Sequence, residues 1–389
     1  MSPALRLAAF YAAMFTGVGV MVGFLPLHLT ALGLSAPVIG ALFAGRTALS
    51  SMGPPLWGLW ADRLGDARLP LVVASSISAL AFLPLLWTEN PTVTMALMLL
   101  QGFGGGALAP LTDSMTLGVL KHAPEKFGRV RMAGTLAFGV GVLGFSLVVT
   151  STGDPALMSR AGSLSVPAIF STLVLTLIVS LGLPRVERPR LVRMETATTA
   201  IRQAPFLLLL LAGAFHWAAH APVTVMLGLH LRDLGGGPSV VAAALCAQVV
   251  TEVAIMYFAP RLLSVMNAPT ALVGIFVAGL VRWTANALLT SPVAFAAMQA
   301  AHGVTFGLYY VVSVRAVQQA IPEEARSTGQ TVFFAVVFGL GGVFGTLLTG
   351  EMYEAGKGPL MFAAAAALDV AALVTMLFYS RVVRRRGAP

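Results

Sequence analysis

Nine ionisable side chains lie inside, or at the edge of, long apolar runs in this chain: Arg46, Asp113, Arg131, His216, His220, Glu252, Arg282, His302 and Asp369. A charge at the centre of a bilayer costs about 2.5–3.5 kcal/mol on insertion scales, so such residues mark sites or pairs. Glu252, Arg282 and His302 fall at similar depth in one half of the chain and make a relay. A carboxyl that alternates between an apolar surrounding and an arginine holds its proton differently in the two, which is the physical basis of proton coupling. Arg46 could pair with Asp113 and hold two helices together. His216 and His220 are one helical turn apart on one face, a spacing open to zinc. The stretch His216-Trp217-Ala218-Ala219-His220, however, has no metalloprotease Glu, and no cysteine or acidic cluster lies near it, so no metal is expected. Asp369, in the last and usually peripheral run, reads as a structural hydrogen-bonding group.

Catalysis finds no support. No Ser, His and Asp set carries a nucleophile elbow. Gly102-Phe103-Gly104-Gly105-Gly106 lacks the Lys-Ser/Thr of a phosphate loop, so neither ATP nor another cofactor is implied.

The elements that must position these residues are membrane helices. The chain has 389 residues, 57% hydrophobic and 10% charged, with a mean hydropathy of +0.87. A soluble domain carries about 25% charged residues. Runs of about 20 apolar residues, enough to span a bilayer, predict helices near 7–29, 37–60, 69–88, 92–119, 130–150 and 162–183, then 205–230, 239–262, 270–290, 293–315, 327–349 and 359–381. The fold class is therefore an all-α membrane protein of about twelve helices. The predicted organisation is an N-terminal six-helix bundle (1–183), a basic cytoplasmic linker (184–204) and a C-terminal six-helix bundle (205–389). Continuous apolar runs exclude a barrel. The first run has no small-residue cleavage site and reads as a span. Most of the 24 Lys and Arg fall on one face, which predicts both termini in the cytoplasm of a bacterial-type cell. Charges scattered over short turns argue against a nucleic-acid surface. The single cysteine, Cys246, excludes an internal disulfide.

The halves echo each other. Pro37-Val38-Ile39 and Pro238-Ser239-Val240-Val241 open the second and eighth runs; Pro124-Glu125-Lys126 and Pro322-Glu323-Glu324 close the fourth and tenth. Such repeats are a feature of secondary transporters. Gly102 with Gly106, and Gly341 with Gly345, have the spacing that lets helix backbones approach closely.

The turn Gly58-Leu59-Trp60-Ala61-Asp62-Arg63-Leu64-Gly65-Asp66-Ala67-Arg68 resembles the cytoplasmic signature of the major facilitator superfamily. The resemblance implies that Asp62 and Arg63 belong to a charge network at the cytoplasmic gate. Phe127-Gly128-Arg129-Val130-Arg131-Met132-Ala133-Gly134, with Pro110 and Asp113 before it, is similar to the start of span five in lactose-permease-type proton symporters. By that resemblance Asp113 and Arg131 contact substrate, and Phe138 stands where that family has a stacking Trp. Arg282 and His302 fall where it has an Arg and a His. Its coupling carboxylate is Thr305 here and its nearby Lys is Gln299, so lactose chemistry does not carry over. Ala219-His220, Glu252, Arg282-Trp283, His302-Gly303-Val304-Thr305-Phe306-Gly307 and Gly329-Gln330 resemble the phenylpropionate-permease-like branch more closely.

The expected function is a monomeric proton symporter importing a small organic solute by alternating access. Asp113, Arg131, Phe138, Arg46, His220 and Arg282 are the expected substrate contacts, Glu252 and His302 the proton-coupling groups. An aromatic acid, a nucleoside and a sugar all remain open as cargo. The alternatives are a proton-coupled exporter, against which the absence of a Gly-Pro step in Gly139-Val140-Gly141-Val142-Leu143-Gly144 counts, and a transport-dead sensor, which should carry a partner domain.

Overall fold

Proline and a short polar side chain before it start helix after helix. The computed structural model describes residues 2–121, 123, 126–154, 156–186, 203–265, 267–322 and 326–385. Pro3, Pro91, Pro269 and Pro292 sit in the first turns of α1 (Pro3–Ala31), α4 (Pro91–Val119), α11 (Ala268–Leu288) and α12 (Pro292–Met298). There the missing N–H is one the helix would leave unsatisfied anyway. The preceding Ser2, Asn90, Asn267 and Ser291 accept from N–H groups of those first turns at 2.9–3.3 Å.

Between these lie α2 (Ala36–Leu64), α3 (Arg68–Phe82), α5 (Phe127–Ser151) and α6 (Leu157–Leu181) in the first part. The second part adds α7 (Ala204–Ala218), α8 (Ala221–Val225), α9 (Leu227–Asp233), α10 (Pro238–Val265), α13 (Tyr309–Ala320), α14 (Arg326–Phe334) and α15 (Gly342–Arg385). Among the described residues, eight helices are long and apolar enough to cross a membrane. They cover nine of the twelve expected spans, because the last, Gly329–Val382, holds two. The other three are α2 and the interrupted seventh and tenth spans. Among the described residues the chain is all-helical, with helices that suit a multi-pass membrane protein.

The interruptions depart from the sequence expectation of continuous helices. The seventh span stops at Ala218 and restarts twice, because Pro222 cannot donate into the ladder around His220. The tenth passes from α12 through a 3-10 turn, Gln299–Ala301, and a π-helical segment, Gly303–Leu308, before α13. Gly303 lies on this segment because a Cβ there would run into the Thr251 backbone of α10 at 2.6 Å.

Two compact units emerge: Met1–Leu191 with Leu227–Cys246, and Val192–Met226 with Ala247–Pro389. In the first, α1 packs on α5 and α6, and α4 on α2 and α3, around Phe10, Tyr11, Trp57, Leu71 and Met115. Gly102 and Gly106 let α4 lie directly on the Arg46 and Ser50 backbone of α2. In the second, α15 packs on α7 and α11, around Phe206, Phe276, Tyr309, Phe333 and Met376. Gly341 and Gly345 meet the backbones of Ala214 and Ala218 in the same way. Leu147, Val148, Ile178 and Val250 are more than half exposed, as lipid-facing side chains must be. Of the expected linker, 187–202 lies outside the described residues, as do Pro124, Glu125, Pro155, Glu323, Glu324 and Arg386.

Spans eleven and twelve meet at Gly356 and Lys357. Lys357 has φ 56° and ψ −152°, a region that glycine alone adopts readily, at about 1–3 kcal/mol for other residues. Lys357→Gly is therefore expected to raise the thermal unfolding temperature in detergent by several degrees; an unchanged or lower value would show no strain at this corner.

Candidate functional site

In the first unit α4 brings Asp113 opposite the first turns of α5. Arg131 Nη1 donates to both carboxylate oxygens, at 2.7 and 2.8 Å, and the Tyr11 hydroxyl of α1 donates to Oδ1 at 2.6 Å. The pair is about one-third exposed, at 40% for Arg131 and 32% for Asp113. Arg46 does not pair with Asp113: its Nε donates to Gln101 Oε1 at 2.9 Å, since Gly102 lets its stem cross α4 one residue beyond that glutamine. Phe138, on α5, is half-buried and packs over Gly19 of α1. Asp62 is half-buried and Arg63 exposed at the end of α2. In the turn that follows, Asp66 accepts from the Arg68 N–H at 3.0 Å and lies 3.9 Å from Arg185, and the Arg68 side chain donates to the Leu181 carbonyl.

The second unit gathers more. Arg282, 1% exposed on α11, donates from Nη1 to Thr305 Oγ1 at 2.6 Å and from Nη2 to Gln299 Oε1 at 2.7 Å. Its Nη1 also lies 3.4 Å from His302 Nδ1, which must accept, because a guanidinium can only donate. Gln248 of α10 donates to the same Gln299 oxygen at 3.3 Å. The guanidinium lies 4.4 Å from the Trp283 ring centre, and its buried Nε has no partner among the described residues. Those residues offer Arg282 no carboxylate within salt-bridge distance.

Asp369 is not peripheral. It is fully buried on α15, in space that Gly279 provides. Trp283 Nε1 donates to Oδ2 at 2.7 Å, and Oδ1 lies 2.5 Å from His216 Nδ1. His216 Nε2 lies 2.7 Å from the Thr305 carbonyl oxygen, which only accepts, so Nε2 carries a hydrogen. With that hydrogen alone, the Nδ1 lone pair would face the carboxylate at 2.5 Å, which is repulsive. A second hydrogen therefore lies between Nδ1 and Oδ1, as imidazolium–carboxylate or imidazole–carboxylic acid. Either way the pair is neutral overall and brings no net negative charge to Arg282.

His220, 1% exposed, lies between these groups, its ring 4.8 Å from His216 and 6.0 Å from His302. Its Nδ1 donates to the His216 carbonyl at 2.9 Å. Glu252 is half-buried on α10 and lies beside Gly307. Trp217, Phe306, Phe338 and Tyr310 form a half-buried aromatic group next to His220 and His302.

Thus Arg282, His302 and His220 come together, as do Asp113 and Arg131. Sequence reasoning missed Tyr11, Gln101, Gln248, Gln299, Thr305 and Trp283 as their partners. One signal could have found the glutamines: Gln101 and Gln299 are as far apart in sequence as Pro124 and Pro322, which close the two equivalent spans.

Helices broken at buried polar groups, as in the seventh and tenth spans, are a feature of secondary transporters. A family model described as the MFS_1 like family matches residues 4–364, and the chain belongs to that family, within the major facilitator superfamily. It is 24% identical over 353 residues to a maltose permease of Geobacillus stearothermophilus, covering 89% of this chain and 86% of the permease. It is 22% identical over 354 residues to the uncharacterized transporter YwbF of Bacillus subtilis (strain 168), covering 90% and 86%. Among solved structures, a mutant of the nucleoside transporter NupG matches with a TM-score of 0.83 at 16% identity, over 98% of this chain and 99% of that one. The POT family transporter PepTSo matches with a TM-score of 0.73 at 14% identity, over 98% of each. At these identities the structural matches show the fold alone.

Proposed function

We propose that this transporter is a proton-coupled symporter that imports a small organic solute carrying a carboxylate, with an aromatic acid the best fit. The observation that carries this reading is Arg282, a buried guanidinium held by Gln299, Thr305 and His302, with no carboxylate within salt-bridge distance among the described residues. A buried cation without a counter-charge is costly, and an incoming carboxylate supplies both that charge and acceptors for the fork. The aromatic group around Trp217 and Phe306 gives such a solute a flat apolar surface. Asp113 and Arg131 neutralise each other and serve as polar contacts, with Phe138 as a stacking face and Arg46 as support. Glu252 and His302 exchange the coupling proton, and Asp62 and Arg63 act at the cytoplasmic gate. The Lys and Arg distribution supports a bacterial-type cytoplasmic membrane with both termini inside. Two units within one chain suffice for a monomer, whose partners are the solute and the surrounding lipid.

Uptake of a labelled aromatic acid, a nucleoside and a disaccharide into proteoliposomes, with and without an inward proton gradient, tests this. The acid is expected to accumulate only with the gradient. Uptake of nucleoside or disaccharide in its place would sink the carboxylate reading, and gradient-driven extrusion would sink import. Glu252→Gln is expected to lose accumulation and keep exchange; unchanged accumulation removes Glu252 from the relay.

A further inference from the structure

The geometry points to the His216–Asp369 pair as the store of the coupling proton, with its occupancy deciding whether Arg282 can hold an anion. This inference rests on the proposed symport reading and names a proton site that the sequence did not. Three features lead to it.

First, the pair shares one proton by hydrogen-bond geometry alone, as the 2.5 and 2.7 Å contacts of the two His216 nitrogens require. Second, the pair and the arginine are joined twice. The Thr305 carbonyl accepts from His216 and the Thr305 hydroxyl accepts from Arg282; Trp283 donates to Asp369 through its indole N–H and faces the guanidinium with its ring. Third, Thr305 stands on the π-helical segment Gly303–Leu308, an irregular turn of the kind that marks functional sites inside helices.

The charge count gives the coupling. With the proton present, the pair is neutral and the cluster carries the uncompensated charge of Arg282, which favours a carboxylate. With the proton gone, the Asp369 carboxylate cancels that charge across Trp283 and the anion loses its attraction. At the same time the His216 lone pair faces the carboxylate at close range, and the tie between the seventh and twelfth spans is lost. Proton and anion therefore promote each other's binding, as linkage requires. Each carried anion travels with about one proton, and the cycle is electroneutral. The other titratable or charged groups that face the pair are His220 beyond α7, Arg282 on α11, His302 before the π segment and Tyr309 on α13, whose ring lies 4.6 Å from His216. His220 and His302 lie in a row that leads from the half-exposed His302 to the buried pair.

Nitrogen-15 histidine NMR of the full chain in lipid nanodiscs tests the store directly. One imidazole signal should show a shared, strongly downfield proton that disappears in both His216→Gln and Asp369→Asn. Raising the pH should remove it, and saturating 3-phenylpropionate should hold it to higher pH. An ordinary singly protonated imidazole at every pH, or a titration that 3-phenylpropionate leaves unchanged, would overturn the inference. In proteoliposomes, Asp369→Asn fixes the cluster in its cationic state, so exchange should persist while gradient-driven accumulation falls to the equilibrium level. Accumulation equal to that of the natural protein would also overturn it. Failure of the symport reading shows separately, as a natural protein that accumulates no panel solute under a proton gradient.

Discussion

Arg282→Gln is expected to lower uptake of an aromatic acid by ~100-fold or more while leaving the protein at least as stable as before. The two expectations come from one fact. Hydrogen bonds to a charged group contribute about 1.5–3 kcal/mol each, and a carboxylate on the guanidinium fork would make two. The free protein, by contrast, holds this cation among neutral acceptors, with Nε unsatisfied, so folding bears the cost of burying it. Removing a buried charge that lacks a counter-charge relieves that cost. Arg282→Lys should fail almost as badly in transport. A single ammonium cannot reach Gln299, Thr305 and a solute together in the planar geometry of the fork. Vesicle uptake alongside thermal unfolding in detergent checks both. Near-normal uptake by Arg282→Lys would mean that a point charge is enough, and a sharp loss of stability in Arg282→Gln would make the arginine a structural group.

The second large effect is expected at Gly279, one turn before Trp283 on α11. A Cβ there would enter the Asp369 carboxylate and lie 3.3 Å from His216 Cε1. Asp369 has no room to retreat, because it is fully buried and held on both oxygens. Gly279→Ala should cost about 1–3 kcal/mol from overpacking, together with the bonds broken when the carboxylate shifts, and should abolish accumulation. Combining it with Asp369→Ala should restore thermal stability without restoring accumulation. A Gly279→Ala protein with normal unfolding temperature and transport would show that the carboxylate lies elsewhere.

The spans were legible because length and apolarity are local properties, and a run of about 20 apolar residues has few fates other than a bilayer. Two close helix crossings were legible as well: the spacing of Gly102 and Gly106, and of Gly341 and Gly345, recurs as backbone contact with α2 and α7. The breaks were not foreseen: 205–230 read as one continuous span although Pro222 lies inside it, and the π turn through Thr305 depends on how Gly303 and Gly307 pack against α10, which is a matter of neighbours. Partner choice was the least legible. Arg46 and Asp113 looked complementary, yet Arg131 reaches both carboxylate oxygens from its Nη1 and Arg46 reaches Gln101 instead.

The cost of a charge in lipid alone marked Arg282, His216, His220, Glu252, His302 and Asp369 as residues with a task. Composition determined the membrane class, and the six-plus-six pattern with its echoed motifs pointed to a carrier. Only the tertiary structure decided which neighbours each meets. It turned Asp369 inward against His216 and Trp283, and left Arg282 among neutral acceptors. The physical reason is that desolvation is set residue by residue, whereas a counter-charge or a shared proton is set by which two helices meet, and that meeting depends on small residues such as Gly279 lying far from either partner in sequence.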